Sequence, residues 1–394
     1  MLKNRMAVNA FFLVNGFVYA NWVSRLPALQ EIYGMDNGQT GLVLLAYAVG
    51  ALVAMPFSGW LIVKNGSRKM TVFAGLLFVT FVPFFPVMVS TELLTLLLFI
   101  TGMSTGVMDV SMNAQAVLVE EKYGRPIMSS FHAVFSGGMM IGAVVGSVFT
   151  RWEISPFTHF SMMALIGIAV IIWASFHLIY DQKTATETEE SGGFQLPAKA
   201  IVGIGIIAFC GMLGEGAMAD WSTLYMKEVA LAEAGWAPIG LGAFSSAMML
   251  GRIFGDKGRV LFGDGKLLII NSLVAMSGVL LFVAFPMPVL VIIGLFLVGL
   301  GLSVIVPIAY SRAGAMPGLA PGVGISMVTT IGYSGFLFGP PIIGFIADWQ
   351  TLRIAMIFVV ALFIIMTILT VLNQVKSRKI STEPKNSTAR QYSP

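Results

Sequence analysis

Apolar residues run through this chain in twelve long stretches separated by short polar breaks. They fall at about 6–30, 39–62, 70–89, 93–119, 127–149 and 157–180, then about 200–226, 237–256, 266–285, 288–311, 321–347 and 352–373, each near the roughly 20 residues a helix needs to cross the hydrocarbon. Lipid offers the backbone no hydrogen-bond partners, so such stretches must satisfy themselves internally as helices. The pattern predicts an all-α membrane protein of twelve transmembrane helices.

The stretches form two matching sets of six. Ala20-Asn21-Trp22-Val23-Ser24 returns as Ala219-Asp220-Trp221-Ser222-Thr223, and Ser136-Gly137, Gly142 and Gly146 return as Ser334-Gly335, Pro340 and Gly344. Two echoes at nearly one offset indicate a tandem repeat. The expected organisation is a six-helix bundle over 1–180, a linker over 181–199, a second bundle over 200–375 and a tail over 376–394. The linker, with Thr186-Glu187-Thr188-Glu189-Glu190-Ser191, is too polar to form a core. The tail carries Lys376, Arg378, Lys379, Lys385 and Arg390, either against anionic lipid or simply solvated.

Composition supports a membrane assignment: 57% of residues are hydrophobic and 11% charged, against roughly 25% charged in a soluble domain. Only Arg25, Arg151, Lys227 and Arg353 would lie outside, leaving 19 of the 23 Lys and Arg inside. This bias predicts cytoplasmic termini and a multi-pass protein of the plasma membrane, the inner membrane in a bacterium. The net charge of +4 follows from these flanks, so no nucleic-acid partner is expected. Cys210, alone in an apolar stretch, excludes an intramolecular disulfide framework. The first stretch, about 25 residues long, reads as a span and not as a cleavable signal.

Two six-helix halves related by a parallel repeat resemble the major facilitator superfamily of secondary transporters. The loop Gly59-Trp60-Leu61-Ile62-Val63-Lys64-Asn65-Gly66-Ser67-Arg68-Lys69 is similar to that superfamily's signature, with Val63 in place of the usual acid. Gly66 suits a tight turn, and Lys64, Arg68 and Lys69 are expected to latch onto the neighbouring bundle or simply to mark the cytoplasmic face. Gly255-Asp256-Lys257 forms a looser copy, with Arg252 placed to pair with Asp256 at i,i+4. Met108-Asp109-Val110-Ser111-Met112-Asn113, followed by Phe131-His132-Ala133-Val134-Phe135-Ser136, resembles the fucose-permease-like, sugar:proton symporter branch. That likeness implies roles for Asp109 and Asn113; where the branch carries an acid in its first helix this chain has Asn15 and Asn21.

Ionisable side chains inside a span are costly and by default functional. Asp109 falls near mid-membrane and reads as a proton-coupling acid or as a structural one. His132 could relay its proton or could merely pack. Glu215 is a candidate second protonation site or an acid bonded across the bundle. Asn15, Asn21, Asn113 and Ser136 are candidate substrate contacts, Asn113 alternatively serving as interhelical glue. Trp22 and Trp221 read as ligand-stacking residues or interfacial anchors, and Arg25 with Asp220 as an outer gate.

The chain carries no His-Glu-x-x-His, no Gly-x-Gly-Asp, no clustered Cys or His and no P-loop, so neither an enzyme, a metal site nor ATP hydrolysis is expected, and no cofactor. The reading is a monomeric secondary transporter that moves a small polar solute, such as a sugar-like one, by alternating access, coupled to protons. The alternatives are proton-driven export of amphipathic compounds, for which the 25 Met residues argue, and a transport-inactive receptor or channel.

Overall fold

A computed structural model describes residues 1–124, 127–180, 199–316 and 321–382. Among the described residues the chain forms thirteen α-helices, one 3-10 helix and no strand. The first half holds α1 (Leu2–Val23), α2 (Leu26–Tyr33), α3 (Asn37–Asn65), α4 (Ser67–Phe81, extended by the 3-10 helix Val82–Val87), α5 (Thr91–Tyr123), α6 (Met128–Arg151) and α7 (Pro156–Ser175). The second holds α8 (Lys199–Glu228), α9 (Ile239–Ala284), α10 (Pro288–Leu302), α11 (Ile305–Gly314), α12 (Pro321–Trp349) and α13 (Leu352–Thr382).

At 1.5 Å per residue α9 would be about 69 Å long, more than twice the hydrocarbon thickness of roughly 30 Å. It is two crossings joined at Gly263, whose φ of 70° is left-handed. With α10 and α11 together making one crossing, the helices long and apolar enough to span give twelve passages. The face at which α1 begins is termed here the amino-terminal face.

Several boundaries differ from the sequence reading: the expected span over 288–311 is broken into α10 and α11, and the first and last stretches change most. The first stretch, expected to be one helix over 6–30, breaks after Val23. Arg25 sits at the elbow and donates to Thr150 Oγ1 at 3.0 Å and to the Ile154 carbonyl at 2.7 Å, and Pro27 in the next turn cannot continue the α1 ladder. The last stretch, expected to end at 373, runs helical to Thr382. Residues 181–198 of the expected linker and 383–394 of the expected tail lie outside the described residues.

The repeat is written into backbone contacts. A side chain at Gly138 of α6 would meet the Leu13 carbonyl of α1, and one at Gly335 of α12 would meet the Phe209 carbonyl of α8. Gly102 faces the Tyr47 carbonyl and Gly299 the Phe244 carbonyl in the same way. Gly66, with φ of 85°, and Gly263 turn the corresponding loops. All three pairs are 197 residues apart, so Gly335 corresponds to Gly138 and not to Gly137, which faces Met249 of the other half.

The halves meet where α3 packs on α12 and α6 on α9. Far from the amino-terminal face this approach is closest: Gly41 lies against the Pro340 carbonyl and Gly344 against that of Asn37. Gly102→Leu and Gly299→Leu are each expected to cost about 1–3 kcal/mol by overpacking, whereas the exposed Gly59→Leu, with no neighbour for its Cβ, should change stability by less than about 0.5 kcal/mol. Thermal unfolding of the purified protein in detergent measures all three.

Candidate functional site

Two adjoining cavities lie between the halves. The inner one, of about 250 Å³, is lined by Asn15 and Tyr19 from α1, Tyr47 from α3, Asp109 from α5, and Glu215 and Asp220 from α8. The other, of about 370 Å³, shares Asp109, Phe135, Glu215, Tyr333 and Phe336 with it and continues past His132, Arg252 and Asp256 toward the amino-terminal face.

The three inner carboxylates have different partners. Asp220 accepts a hydrogen bond from Tyr19 Oη at 2.5 Å, which ties α8 to α1 across the two halves. Glu215 pairs with Arg252 Nη2 at 3.0 Å, and the same guanidinium donates through Nη1 to Ser136 Oγ at 2.7 Å on the other half. Asp109 receives its one side-chain hydrogen bond among the described residues from Asn113 Nδ2, one turn along its own helix, at 3.3 Å; that amide also donates to the Asp109 carbonyl at 2.8 Å.

Several sequence candidates are placed elsewhere. Asn21 is buried, donates to the Phe17 carbonyl at 2.7 Å and meets His159 Nε2 at 2.7 Å, so it faces away from the cavity. The cause is that His159, itself wholly buried on α7, takes the amide oxygen. Asn113 turns back onto Asp109, and Ser136 is occupied by Arg252; neither lines either of these two cavities. Trp22 and Trp221 are fully buried and line neither cavity. Trp22 instead braces the cavity wall, its ring centroid 5.6 Å from those of both Tyr19 and Tyr47. His132 faces the same space as Asp109 but is edge-on to Phe12 at 5.3 Å and makes no hydrogen bond with Asp109.

The charged pairs also differ. Arg252 reaches Glu215 and not Asp256, because Glu215 lies across a low-dielectric cleft while Asp256 is exposed to solvent. Arg25 holds Thr150 and Ile154 within its own half instead of Asp220, and burial lowers its pKa. Lys64 lies over Trp60 at 5.0 Å and Lys69 is exposed. Arg68 donates to the Ser175 carbonyl at 3.0 Å and stacks 3.8 Å from Tyr180, both in its own half.

Away from the amino-terminal face, polar contacts close the halves together. Asp348 at the end of α12 accepts from the Asn37 and Gly38 amides, at 3.0 and 2.7 Å, where the free N–H groups opening α3 favour an anion. Asn37 Nδ2 donates to Glu228 at 3.1 Å, Lys227 pairs with Glu31, and Ser147 donates to the Gly235 carbonyl. Sequence reading missed Asp348, Tyr47 and Tyr333, which carry no local signal. Tyr19 had one, since it sits four residues after Asn15 on the same face of α1.

Twelve membrane passages among the described residues, in two equivalent halves around a central cleft that holds three carboxylates and is closed at one membrane face, define a secondary transporter. The chain matches the Major Facilitator Superfamily model over residues 8–320 and belongs to that family. It is a multi-pass membrane transporter for a small-molecule substrate, and not an enzyme. It is 32% identical over 356 residues to an uncharacterized MFS-type transporter of Yersinia pestis, covering 90% of this chain and 91% of that one. Membrane protein MosC of Rhizobium meliloti is 33% identical over 362 residues, 91% of this chain and 87% of that one. In fold it resembles the nucleoside transporter NupG, with TM-score 0.72, 12% identity and coverage of 94% and 99%. It also resembles FucP in the outward conformation, with TM-score 0.63, 19% identity and coverage of 93% and 97%.

Magnitudes rank the closing contacts. The exposed Lys227–Glu31 pair is worth about 0–1 kcal/mol, whereas a buried hydrogen bond to a charged group is worth about 1.5–3 kcal/mol. Tyr19→Phe is therefore expected to raise the labelling of Ala219→Cys from the closed face by about tenfold, and Lys227→Ala by less than about threefold. The measurement is impermeant-maleimide labelling with the single native cysteine, Cys210, replaced by alanine.

Proposed function

We propose that the chain couples proton movement to the passage of a small organic solute by alternating access, with Asp109 as the acid that carries the proton. One observation carries this reading: of the three inner carboxylates, Glu215 and Asp220 are bonded to other helices, while among the described residues Asp109 has only Asn113 of its own helix. A carboxylate held this lightly can take up and release a proton without dismantling a helix contact. Each proton crossing the membrane potential supplies about 2.3 kcal/mol per 100 mV, enough to concentrate a solute.

The asymmetry of contacts supports alternating access. The halves are joined at the face opposite the amino terminus, so the cleft opens toward the amino-terminal face. The distribution of Lys and Arg supports that face as cytoplasmic, with both termini there; the reading completes this with a monomer in the bacterial inner membrane. Rocking outward breaks Tyr19–Asp220 and the Asp348 contacts and brings the Gly66 and Gly263 loops, with Lys64, Arg68 and Lys69, toward the opposing half.

The cargo reading favoured here is an amphipathic solute, because Leu44, Leu52, Met55, Met139 and Leu337 line the inner cavity beside its few polar groups. A sugar-like cargo is the second reading, supported by Asn15, Thr105 and the phenols of Tyr19, Tyr47 and Tyr333. The experiment is solute-induced proton flux in proteoliposomes across sugars, sugar acids and amphipathic amines. Asp109→Asn is expected to reduce coupled flux by about 100-fold or more, as loss of a positioned proton carrier does. Flux that survives the substitution, in protein with an unchanged thermal transition, would transfer the coupling role to Glu215.

A further inference from the structure

The inner cavity brings three carboxylates together and no cation. Asp109, Glu215 and Asp220 line it, and neither Lys nor Arg does; Arg252 belongs to the second cavity, where it answers Glu215. Asp220 already has the Tyr19 hydroxyl and Glu215 the Arg252 guanidinium, which leaves Asp109 the carboxylate facing the space without a partner from another element.

The rings around it are equally informative. Tyr47, Phe135, Tyr333 and Phe336 line the same cavity as Asp109. A positive group beside aromatic faces is stabilised by about 0.5–2 kcal/mol, more when desolvated, and pairing with a desolvated carboxylate adds to that. A neutral polyol needs instead many hydrogen-bonding groups at fixed positions. The structure withdraws three of those the sequence offered: Asn21 to His159, Ser136 to Arg252 and Asn113 to Asp109. What remains is a mainly apolar, aromatic chamber lined by three carboxyl groups and, among the described residues, by no Lys or Arg.

We infer that the inner cavity binds an organic cation with an apolar body, its positive group held by Asp109 among these aromatic rings. This rests on the transport reading above and names the chemical class of the solute. The body of the ligand lies along Leu44, Leu52 and Met55 of α3, and the chamber of about 250 Å³ fits a compact molecule.

The test uses the full-length protein in lipid nanodiscs and calorimetric titration with matched probes. Phenethylamine and the permanently charged benzyltrimethylammonium are compared with the neutral 2-phenylethanol. Both cations are expected to bind saturably and at least about tenfold more tightly than the alcohol. Asp109→Asn should erase that preference and Asp109→Glu should restore most of it. The inference is overturned if the alcohol binds as tightly as the cations, if the preference survives Asp109→Asn, or if protein with an intact thermal transition binds neither cation. Proton flux separates the two readings: flux lost in Asp109→Asn without any cation preference would leave proton coupling standing and remove the cation. A preference that depends on Asp109 in protein showing no coupled flux would do the reverse.

Discussion

Hydrocarbon supplies no hydrogen-bond partner, and in this chain that constraint decides where the polar side chains go. A buried guanidinium or carboxylate left alone would cost several kcal/mol, so Arg252 is answered by Glu215 and Ser136, Asp220 by Tyr19, and Asn21 by His159. Each answer comes from a different helix. The same bonds that neutralise the penalty therefore also fix which helices lie together. Two of them, Tyr19–Asp220 and Arg252–Ser136, run from one half to the other, so the electrostatics of the cleft and the relation between the halves are one system.

Glycine does for the backbone what these bonds do for side chains. At Gly102, Gly138, Gly299 and Gly335 a helix comes so near its neighbour that a carbonyl occupies the place of a side chain. Packing of this kind drives helix association where lipid is as apolar as leucine. Within each half it brings helix backbones into direct contact, as the Gly138–Leu13 and Gly335–Phe209 approaches do in turn.

Much of the architecture was legible in the sequence because span length and apolarity are imposed by the bilayer. The crossings were placed to within a few residues, apart from the Arg25 elbow and the long last helix. The repeat was visible in Trp22 and Trp221, but its register was not, since echoes of residue type do not report which glycine touches which carbonyl. The site was legible as a list of acids and not as a set of partnerships. Asp109 and Glu215 could be picked out because ionisable groups stand alone in apolar runs; that Arg252 would reach Glu215 in place of Asp256 depends on helices that no local spacing relates. Tyr47, Tyr333 and Asp348 escaped because tyrosine in a span is unremarkable in type, and an acid at a helix end looks like any surface charge.

Main-chain atoms take part throughout the seal opposite the amino-terminal face: the Asn37 and Gly38 amides meet Asp348, the Gly235 carbonyl meets Ser147, and the Pro340 and Asn37 carbonyls lie against Gly41 and Gly344. Main-chain atoms are the same in every residue. Cleft-lining side chains other than Tyr19 and Asp220, which themselves bridge the halves, are thus free to change without touching these contacts, and the cavity wall can be altered by point substitution while the closure is kept.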